Sequence, residues 1–374
     1  MNLNVADLFC GTGGFSHGFA QTGECKTVLG VEIRPSSIKT FAANHPQALA
    51  VCSDIRDVSL RDVADRLGTG AIDVLIGGPP CQGFSSIRPF RSINEDDRRN
   101  NLFEQYSLFV DFFKPTFVVF ENVVGLLRHK GGETAQQVRY MIESLGYACD
   151  LAVMNAVHFG VPQKRERVIL LGRKGKKKPI FPEPTHLYNG RSMGGAISIR
   201  SLSLFDSKLP PAVTVEDAIC DLPPVKAGES AAEYLNGRSG NEYTTARRKS
   251  EKGLTLHDAT KHTPRMLEII RVAGKNRWAL PDGLTSSGFS SCYSRLDADE
   301  PSTTITVNFV HPASNRCIHP TQDRALTVRE GARLQSFDDD FIFCGSRTEI
   351  VKQIGEAVPP LLGRAIAGAI LEQI

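Results

Sequence analysis

The run Ala71-Ile72-Asp73-Val74-Leu75-Ile76-Gly77-Gly78-Pro79-Pro80-Cys81-Gln82-Gly83-Phe84-Ser85 is an apolar stretch cut off by two consecutive prolines. Each proline fixes φ and removes a backbone donor, so a strand reaching Ile76 cannot continue, and Cys81 is held on a stiff turn at its carboxyl end. In an open α/β sheet that edge is where ligands bind. Alone, Pro-Pro-Cys reads equally well as a turn with an incidental cysteine. The surrounding chain decides between the two.

Outward from this run, strand-like and amphipathic helical segments alternate up to about residue 173 at the spacing of βαβ units. The expected strands are Val5–Phe9, Thr27–Val31, Leu49–Cys52, Val74–Ile76, Phe117–Phe120 and Val168–Leu171. The expected helices include Leu60–Leu67, Leu102–Phe113 and Ala135–Leu145. Parallel strands need such crossovers, so the fold class is α/β, a doubly wound Rossmann-like sheet. After Gly172 the texture changes to Lys, Pro, Ser and Gly, and a second, smaller domain is expected. Regularity returns over Leu326–Gln335, and Pro359-Pro360 opens an apolar helix from Leu361 to Leu371 that is expected to pack on the first domain.

Composition excludes several classes. With 374 residues, 41% hydrophobic and 23% charged, the chain is of ordinary globular type and long enough for one large domain and one smaller one. Nine cysteines, an odd number with no Cys-x-x-Cys pair, suggest neither a disulfide framework nor a zinc site and fit a reducing interior. The amino terminus lacks a basic region followed by an apolar core, and no run of about 18 apolar residues occurs. The expectation is a cytoplasmic protein with no membrane partner. Residues 173–325 carry a net charge of about +6 and the remainder about −3. A polyanion-binding module beside a catalytic domain has that distribution, although the Lys174, Lys176, Lys177 and Lys178 run reads equally as a solvated linker.

The first strand runs into Asp7-Leu8-Phe9-Cys10-Gly11-Thr12-Gly13-Gly14-Phe15, a glycine-rich turn feeding a helix, where the backbone can approach a ligand closely. It fails as a dinucleotide fingerprint, because the third glycine would fall on Ser16. Glu32 ends the second strand, where a carboxylate can accept from ribose hydroxyls, and Asp54-Ile55 ends the third in the same way. Each is weak alone; together they describe an adenosine cleft. Glu121-Asn122-Val123 ends the strand after the one preceding Cys81, and Gln163-Lys164-Arg165-Glu166-Arg167 supplies fixed positive charge before the next. A thiol, a carboxyl group and an arginine pair suit nucleophilic addition to an electron-poor ring with delivery of a proton.

In this ordered series, continued by Arg329-Glu330-Gly331-Ala332-Arg333-Leu334-Gln335-Ser336-Phe337 and Gln353-Ile354-Gly355-Glu356-Ala357-Val358-Pro359-Pro360, the chain resembles the DNA cytosine-5 methyltransferases, notably those of bacterial restriction-modification systems. The resemblance covers nearly the whole length. It implies S-adenosylmethionine as cofactor, bound by Phe9, Gly11, Gly13, Glu32, Asp54, Ile55, Pro80 and Leu102. One departure stands out: Gly355-Glu356 occupies the place of the family's Gly-Asn, so Glu356 carries over only weakly. The implied catalytic residues are Cys81, adding to C6 of a flipped-out cytosine, Glu121, holding N3 and the exocyclic amine, Arg165, stabilising the base and a nearby phosphate, and Arg167, supporting the loop. The implied partners are double-stranded DNA, met by a monomer, and a separate restriction endonuclease. The implied organisation is a catalytic and cofactor domain over 1–179, a target-recognition domain over 180–325, a hinge over 326–347 and a return to the catalytic domain over 348–374. Trp278, Tyr293, Arg295, Thr303, Thr304, Thr306 and Asn308 are candidate DNA contacts, and residues 85–100, with Arg88, Arg91, Arg98 and Arg99, are expected to close over DNA. The alternatives are a transfer-RNA cytosine-5 methyltransferase and a catalytically silent DNA-binding regulator.

Overall fold

The computed structural model describes residues 2–68, 71–80, 101–190, 208–234, 240–248, 253–281, 283–285 and 291–374. Cys81 and the expected closing segment 85–100 lie outside them.

Five strands run parallel: β1 (Leu3–Leu8), β2 (Cys25–Glu32), β3 (Leu49–Cys52), β4 (Val74–Gly77) and β5 (Phe117–Val123). Between them lie α1 (Gly14–Ala20), α2 (Pro35–Asn44), α3 (Leu60–Leu67) and α4 (Asn101–Phe113), and α5 (Glu133–Ser144) follows β5. The chain then forms β6 (Tyr147–Asn155), a two-residue β7 (Gln163–Lys164) and β8 (Glu166–Lys174). The seven-stranded sheet has the order β3-β2-β1-β4-β5-β8-β6, which reverses direction between β1 and β4. Adjacent connections leave in opposite directions there, and a crevice opens beyond the carboxyl ends of those two strands.

The sheet departs from the expected pattern at one side. Val168–Leu171 belongs to β8, which runs antiparallel to both β5 and β6, and β6 itself escaped the sequence reading. Tyr147–Asn155 has a half-buried middle, Asp150-Leu151-Ala152, and pairs along one side only, so it lacks the apolar run of a central strand.

Alternate residues of the central strands feed two cores. Ala6, Leu8, Leu75, Val118 and Phe120 pack with Tyr106, Phe109 and Val110 of α4 and with Val138 and Ile142 of α5. Leu3, Val5, Val74, Ile76, Phe117 and Val119 pack on the other face with Phe15 and Phe19 of α1. That face is closed by Leu362, Ile366 and Ile370 of α11 (Pro360–Leu371). Residues 347–371 together have the length and hydropathy of a membrane span, but a proline pair divides them and α11 spends its apolar stripe on this core.

The middle of the chain is sparse in regular structure: α6 (Val215–Ile219), α7 (Glu242–Arg247), α8 (Pro264–Val272) and the short strands β9 (Ser294–Arg295), β10 (Ser302–Thr303) and β11 (Arg316–Ile318). Its core is shared with α9 (Val328–Leu334) and α10 (Arg347–Glu356), with Val215, Ala218 and Ile219 meeting Ala332, Leu334 and Ile354. Both later helices start with a reciprocal cap, Thr327 with Glu330 and Ser346 with Glu349. β10 pairs in parallel with β7, returning residues 302–303 to the main body.

α1 and α11 approach so closely that a Cβ on Gly18 would lie 2.1 Å from the Pro360 carbonyl oxygen. Gly18→Ala is expected to destabilise the protein by about 2 kcal/mol or more through forced separation of the helices. Urea unfolding of the purified variant checks this, and unchanged stability would contradict the close approach.

Candidate active site

One cavity of about 710 Å³ opens at the carboxyl ends of β1, β2 and β4. That size suits a nucleoside-sized ligand with a second planar group beside it, since ligand cavities commonly run to roughly 300–1,000 Å³.

β1 delivers the glycine-rich turn. Phe9, a residue with a side chain, is held at φ 59°, and Gly11 and Gly13 follow at φ 53° and 81°. Such left-handed geometry is tolerated where the backbone must approach a ligand. Nothing stands within 4 Å of where a Gly11 Cβ would be, so the backbone there faces open cavity. Thr12 beside it has a buried hydroxyl without a partner among the described residues. Beneath the turn, burial pushes the Asp7 carboxyl up to about 7, partly offset by the Ser16 hydroxyl donating to it at 2.8 Å.

Glu32 closes β2, and its carboxylate accepts the Gly11 N–H at 3.1 Å and the Arg34 N–H at 3.0 Å. Asp54 follows β3, caps the turn Ile55–Asp57 and is clasped by Arg56, whose Nε donates at 2.9 Å. Phe9, Ile55, Pro80 and Leu102 add apolar wall, and Glu356 lines the cavity from α10. Gly13 stands just behind the wall, against Phe41 and His45. An apolar slot, a carboxylate at a strand end and an orphaned hydroxyl beside an open backbone turn fit an adenosine carrying a polar tail.

The reacting end adjoins this. Glu121 and Asn122 end β5, and Pro79-Pro80 end the turn leading to Cys81. The Asn122 amide donates to the Pro79 carbonyl at 3.0 Å, which ties the proline turn to the strand carrying Glu121. Sequence reasoning gave Asn122 no part. A Cβ on Gly78 would lie 3.0 Å from Glu121 Oε2, so the turn passes close against the carboxylate.

Arg165 and Arg167 exchange emphasis relative to the expectation. Arg167 Nε pairs with Glu121 Oε1 at 2.8 Å, so it orients the carboxylate directly. Arg165 is buried and donates to the carbonyls of Ile305 at 3.2 Å and Glu356 at 3.3 Å. Burial first, and the neighbouring Arg167 second, pull its pKa below the ordinary value. The Gln163 amide reaches Gln335 Oε1 at 2.6 Å and its oxygen accepts the Ile305 N–H at 2.8 Å, locking three distant segments around the site.

Other sequence candidates scatter. Thr304 and Thr306 line the cavity, and the Thr304 hydroxyl donates to the Lys164 carbonyl at 2.9 Å. Arg295 is spent on the carbonyls of Ile270, Ala273, His319 and Gln322 and on Asp323, so it braces the middle segment from within. Trp278 is 80% exposed. The lysine run follows Lys174 at the far end of β8, so it stands roughly 25 Å from Arg167 at about 3.3 Å per residue. It is no part of the site.

A family model of C-5 cytosine-specific DNA methylases matches residues 3–372. The chain belongs to that family. The Type II methyltransferase M1.HphI of Haemophilus parahaemolyticus is 37% identical over 376 residues, covering 100% of this chain and 87% of the relative. M.AgeI of Thalassovita gelatinovora is 34% identical, with 98% and 99% covered. An E. coli prophage-encoded protein described as a DNA modification methyltransferase superposes with a TM-score of 0.74 at 26% identity, over 99% of each chain. The Dnmt2 methyltransferase of S. pombe, at 15% identity, shares the fold with a TM-score of 0.61 over 100% of this chain and 99% of its own. As a member of the family, this DNA cytosine-5 methyltransferase uses S-adenosylmethionine as its methyl donor. The RNA-modifying and silent readings are not favoured.

The turn rests on His45, whose ring lies 4.8 Å from that of Phe41, with Nε2 3.4 Å from the Gly13 carbonyl. Burial first, and His17 second, push its pKa down to about 4 from 6.5. The unfolded chain therefore takes up this proton near pH 6.5 and the folded protein only near pH 4. The stability held by the neutral ring is intact above pH 6.5, declines as pH falls and is gone below about 4. His45→Gln is expected to flatten that decline, measured as the difference in urea midpoint between the two proteins across the range. Identical slopes would contradict a buried neutral ring.

Proposed function

We propose that the chain methylates C5 of a cytosine turned out of a specific duplex sequence, with Cys81 as nucleophile and Glu121 as the group that manages the proton at N3. The observation that carries this reading is that one cavity receives the glycine turn, Glu32, the proline turn leading to Cys81, and the Glu121–Arg167 pair. A stacked base is inaccessible to such a cavity, so the target has to leave the helix.

Glu32 would hold the ribose of S-adenosylmethionine, Phe9, Ile55 and Leu102 its adenine, and the backbone around Gly11 its amino-acid portion. When bound, the cofactor supplies an electrophilic methyl group on a sulfonium. The chain's own residues prepare the acceptor. The Cys81 thiolate forms a bond to C6 while a proton carried by the Glu121 carboxyl group passes to N3, so no full negative charge develops on the ring and C5 becomes nucleophilic. Arg167 occupies one Glu121 oxygen and leaves Oε2, on the side of Gly78, for the base. After methylation, a base takes the C5 proton, the S–C6 bond breaks with its electron pair returning to sulfur, and N3 gives its proton back to Glu121, which restores the aromatic ring and the Cys81 thiolate. Arg165, bonded to the carbonyls of Ile305 and Glu356, joins those two parts of the wall to the segment that carries Arg167.

Duplex DNA containing 5-fluorocytosine at the target tests the scheme, because fluorine at C5 blocks the elimination. A covalent protein–DNA adduct is expected with the unaltered chain and none with Cys81→Ser. Glu121→Gln is expected to slow methylation of ordinary DNA by roughly 10²-fold or more while leaving much of the DNA affinity, which phosphate contacts dominate. Adduct formation without the thiol would remove Cys81 from the mechanism, and undiminished turnover would remove Glu121.

Residues 180–325 choose the target, a role supported by the position of the cofactor and proton-handling residues outside them. Ser302–Val307 is the exception, since it pairs with β7 and lines the cavity. Exchange of residues 180–300 for those of a relative with another target should transfer the methylated sequence, read by 5-methylcytosine sequencing. An active chimera that keeps the original target would place recognition elsewhere. The quoted relatives are named Type II methyltransferases, which supports a cytoplasmic role for a single chain, guarding chromosomal DNA against a separately encoded restriction endonuclease.

A further inference from the structure

The mouth of the cavity carries a charge arrangement that the handling of cytosine does not use. Arg34, two residues beyond Glu32, reaches in two directions. Its Nε donates to Glu32 Oε1 at 3.2 Å, and its Nη1 pairs with Glu356 Oε2. The side chains of Arg34 and Glu356 are 35% and 38% exposed, so this bridge lies at the rim, joining the end of β2 to the carboxyl end of α10. Glu356 is the residue found where the resemblance leads one to expect asparagine. Two other carboxylates in the wall are already matched, Asp54 by Arg56 and Glu121 by Arg167. Glu32, Arg34 and Glu356 therefore act as one unit with a net charge of −1.

We propose that Arg34 and Glu356 are specificity-determining residues of the cofactor site: Arg34 fixes the Glu32 carboxylate for the ribose, and the charge balance of the three groups sets the preference for the sulfonium donor over its thioether product. The inference rests on the S-adenosylmethionine assignment above. Donor and product share the adenosine and the amino-acid portion and differ by a methyl group and one positive charge. A lost contact to the shared parts weakens both ligands alike. A changed charge at the rim acts on the shared amino-acid charges equally in both ligands and on the sulfonium in the donor only, so the sulfonium part appears in the ratio of the two affinities. Removing Arg34 makes the unit more negative and favours the donor; neutralising Glu356 makes it less negative and favours the product. Removing both charges restores the original balance.

Calorimetric titration of the purified full chain with S-adenosylmethionine and with S-adenosylhomocysteine tests this without any turnover. Arg34→Ala should raise the donor-to-product affinity ratio, and Glu356→Gln should lower it, each by about two- to fivefold at low salt, with the effect shrinking as salt screens the rim. The double variant should return to the ratio of the unaltered chain, and Arg34→Lys, which keeps the charge, should hold it. A ratio that stays constant, or moves the same way in both single variants, overturns the proposal, as does a shifted ratio in Arg34→Lys. Failure of the unaltered chain to bind either ligand would overturn the cofactor assignment itself and the inference with it.

Discussion

A guanidinium that has given up its water must be met by acceptors already in place, and the protein is organised around three such groups on and beside α9. Arg333 is fully buried, with Nε and Nη2 each 2.6 Å from the Asp339 carboxylate and Nη1 3.0 Å from Asp221. Arg324 grips Glu330 through two bonds of 2.8 and 2.7 Å, and Arg329 reaches Asp339 and the Thr255 hydroxyl. Leaving one such charge unpaired would cost about 3–5 kcal/mol, so the partners have to arrive together. Asp221 and Thr255 come from the middle of the chain. The residue before Asp339, Asp338, bonds His17 and Gln21, on and just beyond α1, at 3.1 and 2.9 Å. Satisfying these arginines fixes the middle segment, α9 and the cofactor turn relative to one another.

The site inherits its precision from that arrangement. Its walls come from stretches widely separated in sequence, and backbone carbonyls do much of the fastening. Arg165 and the Gln163–Gln335 pair knit β7 to residues 304–305 and to the end of α10. Polar groups that look in sequence like reagents thus divide into those that face the cavity and those that hold its frame. Glu32, Glu121 and Arg167 belong to the first group, and Gln163, Arg165 and Gln335 largely to the second. A preformed frame of this kind lets electrostatic groups act without rearranging when charge develops on the base.

Much of this could be read from the chain. The apolar runs ending at Leu8, Val31 and Ile76 became parallel strands because both faces of the sheet are covered there, which makes such strands nearly continuous in apolar residues. The strand-end carboxylates Glu32 and Glu121 were legible for the same reason, since the end of a buried strand is where a charge can first reach a cavity. β6 was not legible, because an edge strand needs only part of that pattern, and neither was the reversal of β8, because periodicity carries no direction. The Asn122 bond to Pro79 and the Arg34 bridge to Glu356 depend on chain segments meeting in space, 43 and 322 positions apart, and local pattern holds no trace of them. The lysines after β8 show the converse. The direction of one strand carries them away from the catalytic pocket.

The packing of α1 against α11 also imposes an order in time. Phe15 and Phe19 hold the cofactor turn from below, and the residues that cover them, beginning at Pro360, are encoded about 345 positions downstream. At synthesis rates of roughly 5–20 residues per second, Phe15 and Phe19 wait on the order of 20–70 seconds for that cover. The chain acquires its modifying activity late in its own translation, and an emerging fragment holds a sheet and a glycine turn but no finished catalyst. The same interval is when chaperones have most reason to engage it.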